Sequence, residues 1–123
     1  MKLQIGERIF EIELNSSILA QKIFNHLPLQ LEVNGRYGDE IYTLTDFGFP
    51  LDENAKEIME VGDIAYWVKS DGSKEAIAIF FGNTPAGDGT KPIPVSKCSV
   101  IGKIVSEIVD HEIIGKGDKI ILG

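Results

Sequence analysis

Residues 62–85, GDIAYWVKSDGSKEAIAIFFGNTP, decide how the rest of the chain folds. Two apolar runs, Asp63–Val68 and residues 75–81, flank a polar turn around Asp71-Gly72, the pattern of a β-hairpin. Side chains alternate across a strand, which places Phe80 inward and leaves Phe81, Ile79 and Ile77 on the opposite face. Of the neighbours Tyr66 and Trp67, one belongs to the core. The other is free to join Tyr37, Tyr42, Arg36 and Phe81 around a recognition groove. The second run empties into residues 82–97, where Pro85, Pro92, Pro94 and three glycines exclude regular structure.

Upstream, Lys2–Ile5 and Arg8–Leu14 read as strands joined by Gly6-Glu7, a pair suited to a two-residue hairpin turn. Asn15-Ser16-Ser17 offers N-cap side chains, and Ala20, Ile23, Phe24 and Leu27 recur at helical spacing until Pro28 stops the helix. Residues 29–33 alternate as a half-buried strand, residues 34–38 carry turn chemistry, and Glu40–Thr45 returns as a strand. A short helix is expected over residues 52–59. Downstream, residues 99–106 and 118–122 read as strands, with one or two helical turns over residues 107–114.

Eight strands arranged mainly as hairpins with one wet face predict a mainly β fold: a closed eight-stranded antiparallel β-barrel with one or two short helices. A two-sheet sandwich is the competing architecture. At 123 residues and 43% hydrophobic, the chain is expected to form a single domain, residues 1–123. A net charge of −7 argues against a nucleic-acid partner. The longest apolar run, residues 76–81, is too short to span a bilayer, so no membrane partner is expected. Cys98 is alone and the N-terminus has no continuous apolar leader region, so a cytoplasmic location is the expectation.

The order of elements resembles that of the cyclophilins, the peptidyl-prolyl isomerases. Gly62-Asp63-Ile64-Ala65-Tyr66 stands where they carry G-x-L-S-M, Ala78-Ile79-Phe80-Phe81 where they carry S-Q-F-F, and Val100-Ile101-Gly102-Lys103-Ile104 resembles V-F-G-K-V. With Leu27-Pro28-Leu29 and IFFGNTP at residues 79–85, the chain is similar over its whole length to small prokaryotic cyclophilin-like proteins of unassigned function. Isomerisation means breaking amide resonance, a barrier of roughly 18–20 kcal/mol. The family lowers it with an arginine that hydrogen-bonds the amide as conjugation is lost, a stabilisation of the kind worth about 2.7–4 kcal/mol. That arginine is expected on residues 29–33, whose wet face instead carries Gln30, Glu32 and Asn34. Arg36, in the next turn, is the substitute if the protein is an isomerase, and Phe81 is the part of the proline pocket that carries over.

The resemblance therefore implies a non-catalytic module binding a small molecule or short peptide through Phe81, Ile79, Tyr66, Arg36, Tyr37, Thr84 and Pro85, with a divergent isomerase as the alternative. No cofactor and no metal are expected. Gly82 and Gly87 have the spacing of a phosphate loop, but Asp88 follows where Lys is needed and Pro92 and Pro94 forbid the required helix. Cys98 with Asp110-His111-Glu112 lacks a nucleophile signature and reads more simply as a buried small apolar residue. His26 and His111 lie in separate elements, outside any metal-ligand spacing. The acid pairs Asp39-Glu40 and Asp52-Glu53 read as solvated or capping groups rather than as an acid–base couple.

Overall fold

A computed structural model describes residues 1–87 and 89–123. Asp88, on which part of the phosphate-loop argument rests, lies outside the described residues. The strands are β1 (Lys2–Ile5), β2 (Arg8–Leu14), β3 (Leu29–Glu32), β4 (Gly35–Tyr37), β5 (Glu40–Thr45), β6 (Ala55–Lys56), β7 (Asp63–Val68), β8 (Glu75–Phe80), β9 (Cys98–Ile104) and β10 (Lys119–Leu122). Among the described residues, one helix, α1 (Ile18–Phe24), follows β2, and a single 3-10 turn spans His111–Ile113. Ser17 caps α1, its side chain accepting from the Ala20 N–H at 3.1 Å. The turn between β1 and β2 places Gly6 at φ +58°, as the Gly-X pair requires.

The strands pair in the order β3-β10-β1-β2-β9-β7-β8-β5-β4, with β6 added beside β9. Every ladder among them is antiparallel. The fold is thus mainly β with one helix. The ten-stranded sheet is an open path of nine strands with β6 beside it, rather than the expected ring of eight. Its two terminal strands, β3 and β4, are consecutive in the chain and separated only by Val33 and Asn34. Around that join, Thr43 Oγ1 donates to Glu32 O at 2.7 Å and Asn34 Oδ1 accepts from the Leu44 N–H at 2.6 Å.

Three local expectations change. Residues 34–38 are not all turn: Gly35–Tyr37 pairs with β5, and the reversal comes at Gly38, φ +60°. A side chain at Gly38 would meet Pro85 Cδ at 2.8 Å and Asn83 O at 2.9 Å, so the bend is packed tightly against the exit of β8. Residues 52–59 form no helix; Asp52 Oδ1 accepts from the Asn54 N–H at 3.0 Å, and the chain then extends to pair Ala55–Lys56 with β9. The inward and outward faces of β8 are also reversed. Ile77, Ile79 and Phe81 join the main core with Phe10, Ile41, Ile64 and Tyr66, while Phe80 joins an outer cluster with Met59, Ala65, Ala78 and Cys98. All six residues of β8 are buried, so both faces are covered and alternation alone cannot tell which is the interior. No helix among the described residues is long and apolar enough to cross a membrane.

Candidate functional site

The outer face of β5, β8 and β7 carries a cleft of about 520 Å³. Its floor comes from Ala76 and Ala78 on β8. In register, Ala76 lies between Leu44 on β5 and Trp67 on β7, and Ala78 faces Tyr42. A methyl side chain between larger neighbours on a pleated face leaves a trough, so the Ala-x-Ala spacing itself makes the depression. Tyr42 leans over Gly35, where an added Cβ would run into its ring. Pro94 and Val95 close one side. The loop carrying them is tied to β7 by Trp67 Nε1, which donates to Ser96 Oγ at 2.6 Å.

Glu40 also lines this cleft. It opens β5 on the outward face, and only 8% of it is exposed. Its Oε1 has no hydrogen-bond partner among the described residues. A buried acceptor left unpaired costs about 1–3 kcal/mol. Burial pushes the Glu40 carboxyl up to about 7, near neutrality. Cys98, another lining residue, is pushed up to about 12 by burial and by the Glu40 charge, which keeps it a thiol and a poor nucleophile. No group of three or more His, Cys, Asp or Glu side chains among the described residues could hold a metal ion.

Of the residues singled out from sequence, Arg36 and Tyr37 line the cleft. The Arg36 guanidinium is fully engaged. Nε donates to Gly38 O at 2.8 Å, Nη1 to His111 O at 2.6 Å and Ile114 O at 2.8 Å, and Nη2 to Asp39 Oδ1 at 3.2 Å, with His111 Nδ1 at 3.1 Å. It staples the β4–β5 bend to the segment following β9. Phe81 and Ile79 are not groove residues. They face the main core, where the Phe81 ring lies 5.8 Å from Phe10 and stacks on His111 at 5.3 Å. Tyr66 is wholly buried, its hydroxyl donating to Glu75 at 2.6 Å and lying 3.0 Å from Phe49 O. Thr84 holds the base of the loop, donating from Oγ1 to Ile93 O and accepting from the Ile93 N–H, and Pro85 packs at the Gly38 bend; neither lines the cleft.

Trp67 is therefore the outward member of the Tyr66-Trp67 pair. The acid pair Asp39-Glu40 reads as solvated or capping, whereas Glu40 is buried at the start of β5. The available signal is its position: an acid on the same alternating face as Tyr42 and Leu44, opposite an apolar strand face of Ala76, Ala78 and Phe80.

A mainly β antiparallel sheet with a main core and a smaller outer apolar cluster, one short helix among the described residues and an outer cleft, defines the class. The chain belongs to the Cyclophilin-like family, whose model matches residues 1–123. It is similar to the solution structure of a hypothetical protein from Archaeoglobus fulgidus, at 31% identity and a TM-score of 0.75, covering 98% of this chain and 90% of that one. No functionally curated protein matches it.

Proposed function

We propose that this protein is a non-catalytic binding module that holds a small molecule or short peptide in the outer cleft beside Glu40. The observation that carries the reading is the buried carboxyl with an unpaired oxygen, set in a cleft with aromatic and alanine walls. A site that keeps a polar group dry and unsatisfied gains free energy when a ligand supplies the missing donor. The consecutive placement of β3 and β4 supports reading the open ladder as a barrel whose two ends meet at Val33-Asn34. A lone, buried Cys98 is compatible with work in a reducing cytoplasm.

The divergent-isomerase alternative needs Arg36 to donate to a prolyl amide, and every nitrogen of that guanidinium already has a partner. A proline-isomerisation assay on a peptide substrate is expected to give no acceleration above the uncatalysed rate. Cyclophilin-like turnover that disappears in Arg36→Ala, measured where circular dichroism shows the variant still folded, would replace the binding-module reading with the enzymatic one.

A further inference from the structure

We infer that the cleft selects a small, flat organic cation of amidinium or protonated amino-heterocycle type, whose N–H groups meet the Glu40 carboxylate while its ring lies between Tyr42 and Trp67. The inference rests on the binding-module reading and adds the ligand's chemistry to it.

Three features support this selection. β5 and β7 are separated by the single strand β8, so their backbones stand about 9–10 Å apart, and Tyr42 and Trp67, offset by two residues in register, flank the alanine trough diagonally with room for a ring between them. Tyr42 and Trp67 both line the cleft, and aromatic rings favour a cation over a neutral ring. Glu40 supplies an acceptor without a donor, and a carboxylate is matched best by two parallel N–H groups.

The charged and titratable groups lining the same cleft are Arg36, Tyr37, Tyr42, Lys74, Cys98 and Lys116. Arg36 is bound to Asp39 and to backbone carbonyls, and Lys74 and Lys116 are exposed. His111 contacts Arg36 but does not line the cleft. None of these is bonded to Glu40, which leaves its carboxylate available to a ligand cation.

Trp67 is the chain's one tryptophan, so its fluorescence reports on the cleft wall directly. The test titrates the intact protein with benzamidine, its neutral analogue benzamide, and benzoate at pH 6, 7 and 8. Benzamidine is expected to give a saturable Trp67 response. Its affinity is expected to rise about tenfold from pH 6 to pH 8, because a carboxyl titrating at about 7 passes from about one-eleventh to ten-elevenths ionised. Benzamide and benzoate are expected to bind at least about tenfold more weakly, and Glu40→Gln to remove both the preference and the pH dependence. Should Glu40→Gln fold poorly, the pH series on the unaltered protein decides alone. Saturable binding of benzamide or benzoate as tight as benzamidine, or pH-independent benzamidine binding, overturns the cation inference and leaves the binding-module reading standing. No saturable response to any of the three overturns the inference together with the cleft on which it rests.

Discussion

Glu40 and Glu75 open two strands that pair with each other, and both are buried, yet they have been treated in opposite ways. Glu75 sits across from Thr45 and is saturated. Its carboxylate accepts from Tyr66 Oη at 2.6 Å, Thr45 Oγ1 at 2.8 Å, the Phe47 N–H at 3.0 Å and the Gly48 N–H at 2.6 Å. Burial alone would push its carboxyl up, but those donors outweigh it and hold the group below the usual carboxylate range. Glu40, at the other end of the same ladder, keeps an oxygen with no partner and moves up to about 7. A fully bonded buried carboxylate builds structure, pinning the turn after β5 to the core through Tyr66. An unpaired one lining a cleft is a vacancy for a donor. The difference between the two separates the structural end of this ladder from the end where the proposed binding site lies.

The strongest way to break this contrast is to remove the saturated group. Glu75→Ala would strand a buried hydroxyl and several backbone donors, and is expected to cost roughly 3–5 kcal/mol in urea unfolding. A loss below about 1 kcal/mol would mean that the network contributes little. The next effect is a difference in pH dependence. Between about 4.5 and 7 the unfolded chain has released the Glu40 proton while the folded protein still holds it, so stability falls as pH rises through that window and stays low above it. The upward shift from 4.5 to about 7 corresponds to about 3 kcal/mol. Glu40→Gln is expected to lose this decline when urea midpoints are compared across pH, whereas an unchanged slope would remove the buried acid from the account. Glu75 acts with the opposite sign: its lowered carboxyl stabilises the fold above the ordinary value of 4.5, and that stability is lost as pH falls below it.

Smaller effects sharpen the two regions. Arg36→Ala frees the His111–Ile114 backbone from the β4–β5 bend and is expected to cost about 1–3 kcal/mol, with faster amide exchange at residues 111–114. A full loss of folding would show that Arg36 does more than staple. Trp67→Phe keeps an aromatic wall and loses one exposed hydrogen bond to Ser96, so it is expected to change stability by less than about 1 kcal/mol. A larger loss would make the loop clamp a core element rather than the edge of a cleft.

Much of the fold is legible in the residues. β1, β2, β5 and β7 have the bounds expected from the residues, the Ser17 cap starts α1, and the family match spans residues 1–123. What alternation cannot supply is which face is inside when both are covered. Ile77 to Phe81 offers apolar residues at every step, so Phe81 fell on the wrong side and the groove expected around it is core. β4 was hidden because Gly35 is also turn chemistry; its pairing depends on Tyr42 needing the space above it. Glu40 was hidden for a related reason. An acid after a turn reads as solvated unless distant residues that line the same cleft, such as Cys98, are placed near it.

The claim that rests on all of this is that two buried glutamates in one ladder differ because one is structural and one is open to a ligand. Carbon-13 NMR titration of the glutamate side-chain carboxyls in the folded protein measures that difference directly. The account predicts that Glu40 titrates at about 7 while Glu75 titrates below the ordinary value of 4.5. Both carboxyls titrating together near 4.5 would contradict it.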